Sequence, residues 1–293
     1  MSAVPQGWAP VLARFSQGEI SPQIALAQLL LSNSGVDAVA ELATLAGADP
    51  GDVDLGRLSR LAADHPDQLQ RVRAMVASGI DPQNADSAAG RIAATRDLFD
   101  RLAIEAPEAA VAIYSLGDPG LLDAATAELV DVIAGWTELR DSTLLDFGCG
   151  IGRVGAALAP RVREIVGVDV SAGMIEQARA RTDGIPNLRF QVTDGADLRA
   201  FGDDVFDLIL AIDSFPFLVR AGEDVMRDQL EEFARLLRPG GELLVFNWSY
   251  RGDVEADVAD AQRLGGDAGF EIRRAGERPF RIWDGVGFHL VRR

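Results

Sequence analysis

Asp146, Gly148, Gly150 and Gly152 form a D-x-G-x-G-x-G run, and Asp169 closes the next apolar stretch, Val166-Gly167-Val168-Asp169. Glycines at this spacing let a backbone turn tightly and approach a ligand closely. A carboxylate offers two acceptor oxygens, which suits the paired hydroxyls of a ribose. Together they describe a nucleoside-binding crevice. A dinucleotide loop, G-x-G-x-x-G, would require a third glycine at residue 153, where the chain has Arg153. The spacing therefore turns away from a nicotinamide cofactor.

Other side chains with chemical potential are few. The chain has 2 histidines, His65 and His289. His65 stands beside Pro66 and reads as a surface cap. His289 alternates with Phe288 and Leu290 in a strand pattern and reads as a buried or edge-strand residue rather than a base. Cys149, inside the glycine run, reads as a small packing residue. No His, Asp or Glu cluster has metal-ligand spacing, so a metal is not expected. Asp213-Ser214-Phe215-Pro216-Phe217 follows an apolar strand pattern. Asp213 there could orient a reacting amine, and Phe215 and Phe217 could wall an apolar or cationic ligand or simply pack in the core. Trp248, Tyr250 and Trp283, near the late strands, could line a ligand pocket or simply be rim aromatics.

Alternating elements must position these groups. Strand patterns fall at Leu144–Phe147, Ile165–Val168, Leu188–Val192, Leu208–Ile212, Leu243–Trp248, Phe270–Ala275 and Gly287–Val291. Helical patterns fall between most of them, at Arg153–Ala159, Ala172–Arg181, Gly222–Leu237 and Val254–Leu264. This is the grammar of an α/β, doubly wound, mostly parallel seven-stranded sheet with ligand beyond the strand carboxyl ends. Arg238-Pro239-Gly240-Gly241 is a turn by composition. The first 80 or so residues read as helices only: a capped start at Ser21-Pro22, apolar faces at Ile24–Leu31 and Val36–Leu45, Leu55–Leu61, and Leu69–Val76. Ser78–Gly90 reads as a linker, Arg91–Ile104 as a helix, Ala106-Pro107 as a loop, and Asp118–Trp136 as a further helix. The expected division is an N-terminal helical domain, 1–85, and a ligand-binding domain, 86–293.

The ordered motifs carry a resemblance. Asp146–Gly152 with Val166–Ser171 resembles the first two motifs of the class I S-adenosylmethionine-dependent methyltransferases. Three later stretches agree in order: Val192-Thr193-Asp194-Gly195-Ala196-Asp197-Leu198, Phe206–Ser214, and Leu236–Leu244 with its Arg238-Pro239-Gly240-Gly241. The resemblance spans about residues 114–250 and implies a Rossmann-like sheet, here with an all-helical N-terminal extension. It implies S-adenosyl-L-methionine as cofactor, with Asp146, Gly148, Gly150 and Gly152 around its amino-acid part and Asp169 and Val170 at the ribose. It further implies Asp194 and Met174 at the adenine, Gly195, Ala196 and Ile212 among the other cofactor contacts, and Tyr114 at the cofactor carboxylate. Tyr114 equally fits packing at a domain junction, Met174 ordinary helix core, and Asp194 a turn cap. In-line methyl transfer mainly requires alignment and a free acceptor lone pair.

Composition narrows the partners. The net charge is −17, with no lysine among the basic residues, which disfavours nucleic acid and anionic membranes and favours a small-molecule acceptor. No apolar run suits a membrane span. Met1–Pro10 lacks the basic-then-apolar pattern of a secretory signal, and a single cysteine fits a reducing compartment, so a cytoplasmic protein is expected. The N-terminal helices are expected to serve as a lid, an acceptor-recognition element or a homodimer contact. Two alternatives remain at this level: a non-catalytic module binding S-adenosylmethionine or S-adenosylhomocysteine, and a nicotinamide-dependent oxidoreductase. The sequence does not choose the acceptor atom.

Overall fold

A computed structural model describes residues 4–5, 7–32, 37–66, 69, 87–115, 118–195 and 197–293. The chain divides into two compact units. One is helical and draws on residues within 1–79, 108–125 and 280–284. The other holds the sheet and draws on residues within 80–107, 126–279 and 285–293.

The sheet unit has seven strands: β1 (Thr143–Phe147), β2 (Glu164–Asp169), β3 (Leu188–Val192), β4 (Phe206–Ile212), β5 (Leu237–Phe246), β6 (Phe270–Glu277) and β7 (Gly287–Arg292). Their order is β3-β2-β1-β4-β5-β7-β6. The pairs from β3 to β5 are parallel, and β7 runs antiparallel to both β5 and β6. The order reverses between β1 and β4, so the crevice opens beyond their carboxyl ends. β1 is buried along its whole length, as a central parallel strand covered on both faces must be. Leu145, Val166, Ile209, Leu243 and Phe288 join Leu230, Phe233 and Leu236 of the helix Glu223–Leu236 in the main core.

The expected doubly wound seven-stranded sheet is what the chain forms, with some different bounds. β5 starts at Leu237, so the Arg238–Gly241 turn lies inside the strand as a bulge. Phe206 faces Leu237 and Leu208 faces Glu242, leaving residues 238–241 opposite Asp207 alone. Arg238 ion-pairs with Asp207 there, and Gly240 takes φ 78°. A helix Phe215–Ala221, absent from the expected helices, buries Phe215, Leu218 and Ala221 at helical spacing. Ser214 precedes it and Pro216 stands in its first turn, a helix-start pattern, yet the Ser214 hydroxyl donates to the Phe147 carbonyl at 2.7 Å instead of capping. The helix Val254–Asp260 continues as a π-turn, Ala261–Gly265.

Ahead of the sheet, the helix Ala88–Glu105 begins inside the expected linker, where Ser87 Oγ accepts from Gly90 N–H at 3.1 Å. The rest of that linker, 78–86, lies outside the described residues. The expected loop at Ala106-Pro107 instead starts a short helix, Pro107–Val111. Proline suits such a first helical position.

In the helical unit, the helices Trp8–Ser16, Pro22–Leu31, Ala38–Ala48 and Val53–Asp64 bury Trp8, Phe15, Leu26, Leu29, Leu42 and Leu58. The first of these was absent from the expected helices although Trp8, Val11, Leu12 and Phe15 stand at helical spacing. Ser21, Asp37 and Asp52 cap the other three with side-chain oxygens. His65 sits at the carboxyl end of Val53–Asp64. Residues 280–284 belong to this unit: Ser21 Oγ donates to the Ile282 carbonyl, Gln28 Nε2 donates to Asp284, and Trp283 stacks on Tyr114 with centroids 5.6 Å apart. Leu69 is buried, and the remainder of the expected helix Leu69–Val76 lies outside the described residues. Among the described residues no helix is long and apolar enough to cross a membrane.

Candidate functional site

The glycine run forms the link between β1 and the helix Arg153–Leu158. Gly148, Gly150 and Gly152 all take left-handed backbone, with φ of 72°, 53° and 75°. L-residues with a Cβ avoid that region. Space forbids side chains as well: a Cβ at Gly148 would overlap Ser214 Cβ, and one at Gly152 would lie 2.7 Å from Phe190 Cζ. Gly148 and Cys149 N–H both donate to the Val168 carbonyl, which ties the turn to β2.

Asp169 ends β2 beneath this turn. Its Oδ2 accepts from Gly150 N–H and its Oδ1 from Ser171 N–H, each at 2.9 Å. Both oxygens are thereby aimed, and each keeps acceptor capacity for a further donor. Burial pushes the Asp169 carboxyl above its ordinary value, against the opposing pull of these backbone hydrogen bonds.

Asp146, inside β1, is 2% exposed, and its Oδ2 has no hydrogen-bond partner. Burial raises its pKa to about 7, with Arg153 pulling down and Asp169 pushing up. A buried carboxylate oxygen without a donor is costly unless a ligand supplies one. Cys149 is buried too, and burial beside two carboxyls pushes its thiol up, so it stays protonated.

Val170 and Gly195 meet at the ends of β2 and β3. Gly195 takes φ 83°, and a Cβ there would lie 2.5 Å from Val170 Cγ1. Asp194 is exposed and accepts from Asp197 N–H at 2.8 Å, so it caps the turn after β3. Met174 is fully buried in the helix Ala172–Arg181, whose start Ser171 caps by accepting from Met174 N–H. Ala196 lies outside the described residues. Ile212 is half-buried at the end of β4. Tyr114 belongs to the helical unit, buried against Trp283.

Beside the glycine turn, the ends of β4 and β5 carry a second set. Asp213 and Asn247 are non-glycine residues at φ 54° and 66°. Asp213 Oδ1 accepts from Asn247 Nδ2 at 2.7 Å and from Tyr250 Oη at 2.9 Å. Asn247 Oδ1 accepts from Val286 N–H, which fixes the amide so that its nitrogen faces Asp213. Phe217 meets the Tyr250 ring edge-on, 6.1 Å between centroids. Sequence reading placed Asp213, Ser214, Phe217 and Tyr250 near this end but missed Asn247. A lone polar residue after a strand carries no periodic or spacing signal.

Phe215 and Trp248 are fully buried and pack on each other 4.3 Å apart, as core rather than wall. His289 is 2% exposed, inside β7 rather than at a strand end, with Nε2 3.3 Å from Glu242 and its ring parallel to Trp136. Among the described residues no group of three or more His, Cys, Asp or Glu could hold a metal ion.

Comparison with known proteins places these elements. A methyltransferase-domain family model matches residues 144–241. The chain is 37% identical over 139 residues to methyltransferase GfsG of Streptomyces halstedii, covering 46% of this chain and 45% of that protein. It is 32% identical over 137 residues to a demethylmenaquinone methyltransferase of Clavibacter sepedonicus, covering 47% of this chain and 51% of the relative. The chain thus spans about half the length of these curated relatives. RNA methyltransferases match over shorter stretches. Among solved structures, magnesium protoporphyrin IX methyltransferase of Synechocystis PCC 6803, with S-adenosylmethionine bound, superposes with a TM-score of 0.52 at 19% identity. That match covers 72% of this chain and 99% of the other, and it is a likeness of fold.

Proposed function

We propose, since the chain belongs to the class I S-adenosylmethionine-dependent methyltransferase family, that it transfers a methyl group to a small-molecule acceptor by in-line displacement. The family's cofactor is S-adenosyl-L-methionine, which supplies an electrophilic methyl group on a sulfonium when bound. The observation that carries this reading is the pairing of a left-handed glycine turn with a buried carboxylate oxygen, Asp146 Oδ2, that lacks a donor. That oxygen suits an ammonium group.

In this reading Gly148, Gly150 and Gly152 hold the amino-acid part of the cofactor with Asp146. Asp169 and Val170 hold the ribose. Met174 and Asp194 serve the adenine, Gly195, Ala196 and Ile212 are among the other cofactor contacts, and Tyr114 serves the cofactor carboxylate. Asp213 orients the acceptor. The helices of residues 1–85 act as lid, acceptor-recognition element or homodimer contact for the cofactor-binding domain, residues 86–293. The net charge of −17 favours a small molecule over RNA. A cytoplasmic setting agrees with a single, buried cysteine.

Calorimetric titration with S-adenosylhomocysteine and with NADH tests the cofactor assignment. Binding of S-adenosylhomocysteine is expected, weakened at least about tenfold in Asp169→Ala, because each lost charge-assisted hydrogen bond to a ribose hydroxyl contributes roughly 1.5–3 kcal/mol. NADH binding without S-adenosylhomocysteine binding overturns the reading. Cofactor binding with no transfer of labelled methyl to any component of a cell extract leaves a binding module instead of an enzyme.

A further inference from the structure

The ends of β4 and β5 hold one positive charge without a counter-ion. Arg220 lies in the last turn of the helix Phe215–Ala221 and is half-buried. Its guanidinium carbon sits 5.8 Å from the Phe217 ring centroid and 5.4 Å from that of Tyr250. Among the described residues it enters no hydrogen bond or ion pair.

Acids were available to it. Glu223 and Asp224 follow within four positions, yet Glu223 pairs with Arg227 at 2.8 Å and Arg263 at 3.0 Å, and Asp224 pairs with Arg227 at 3.3 Å. The Ala221 carbonyl beside it accepts from Arg91. Among the described residues Arg57, over the Phe15 ring alone, is likewise without an ion pair but exposed, whereas Arg220 is half-buried and rests on two rings, one of them the Tyr250 ring whose hydroxyl reaches Asp213. A guanidinium resting on aromatic faces is held in place, and its planar fork of N–H donors remains for a ligand.

We propose that Arg220 binds an oxyanion group, a carboxylate or phosphate, on the methyl acceptor, making the acceptor an anionic small molecule. This rests on the methyltransferase reading above. Tyr250 links the two functions of the site: its ring carries Arg220, and its hydroxyl donates to Asp213 Oδ1. The β4 end in turn abuts the glycine turn, because Ser214 Oγ donates to the Phe147 carbonyl. Fork-shaped pairing with an oxyanion is specific as well as attractive. A strongly acidic protein needs such a local cation, since its overall field repels an anionic ligand.

The test uses the full chain saturated with S-adenosylhomocysteine and titrated by calorimetry with benzoate, with its neutral counterpart benzamide, and with phenyl phosphate. Benzoate, phenyl phosphate or both are expected to bind more tightly than benzamide, and to weaken at least tenfold in Arg220→Gln. Arg220→Lys is expected to recover part of the loss. Which anion binds tighter tells carboxylate from phosphate acceptors. Benzamide affinity and S-adenosylhomocysteine affinity should be the same in wild type and Arg220→Gln, which excludes misfolding as the cause. No preference for the anions over benzamide, including no binding of any of them, overturns the inference, as does equal anion binding by Arg220→Gln. If S-adenosylhomocysteine itself fails to bind the wild type, the methyltransferase reading falls and this inference with it.

Discussion

At the end of β1 the chain turns on Gly148, Gly150 and Gly152, whereas at the ends of β4 and β5 it turns on Asp213 and Asn247, and in both places the backbone is left-handed. The first turn meets that requirement with glycine and spends no side chain on it. Its acids, Asp146 and Asp169, are buried, and Asp169 is aimed by backbone N–H groups alone. The second turn accepts a steric cost of roughly 1–2 kcal/mol per left-handed L-residue, somewhat eased for Asp and Asn. In return it places a carboxylate and an amide in contact, aimed by side chains. A site fixed by backbone suits a ligand part common to a whole family. A site fixed by side chains can change its specificity by substitution, and strained non-glycine residues concentrate at such functional positions.

The sharpest way to break this contrast is Gly148→Ala. The new Cβ would meet Ser214 Cβ in a backbone region closed to alanine. The strain and overpacking together are expected to cost about 3 kcal/mol, which lowers Tm by roughly 6–12 °C for a unit of this size. Cofactor binding should be lost with it, because Ser214 also anchors the Phe147 carbonyl. A Tm within about 2 °C of wild type would mean that the turn relaxes freely and that its glycines are there for the ligand alone.

The same contrast explains what could be read from the chain. Glycines at alternate positions after an apolar strand mark their own backbone, and Asp169 lies at a fixed distance beyond them. The doubly wound, mostly parallel sheet followed from strands alternating with helices. Nothing comparable marks Asn247 or Arg220. Asn247 is aimed by Val286 N–H, which lies 39 positions on, and the role proposed for Arg220 rests on its having, among the described residues, no ion pair with an acid. The helix after Ser214-Phe215-Pro216 was legible in principle, since serine followed by proline in the first turn is a helix-start pattern. The excursion at Arg238–Gly241 is turn-like in composition and lies inside a strand because the Asp207–Arg238 pair and the β4 ladder on either side hold it there.

A pH series separates the two carboxylate sites next. Asp146 has a folded pKa of about 7 against an ordinary 3.8, so the folded state holds a proton that the unfolded chain has released. Its contribution to stability is therefore complete below the unfolded value and declines as pH rises from about 4 to about 7. If the ionised form receives the cofactor's ammonium group, S-adenosylhomocysteine affinity should climb by up to roughly tenfold per pH unit below about 7 and level off above it. Asp146→Asn should flatten both dependences. An unchanged pH profile of binding in Asp146→Asn would place the ammonium elsewhere.

The smallest effect belongs to Tyr250→Phe, and it tests whether the β4 end acts on the acceptor. The substitution removes one hydrogen bond to Asp213 Oδ1 and leaves the ring under Arg220 and against Phe217. Asn247 still donates to Asp213, with its amide fixed by Val286 N–H, so the carboxylate stays in place. One neutral donor lost to a half-exposed carboxylate corresponds to about 1 kcal/mol, a change in methyl transfer of roughly fivefold. Cofactor affinity and Tm should stay near their wild-type values, since the bond removed goes to Asp213 and not to the glycine turn. A transfer rate unaffected by Tyr250→Phe and by Asp213→Asn alike would remove Asp213 from the acceptor site. The strained pair at the ends of β4 and β5 would then be a device for closing the sheet.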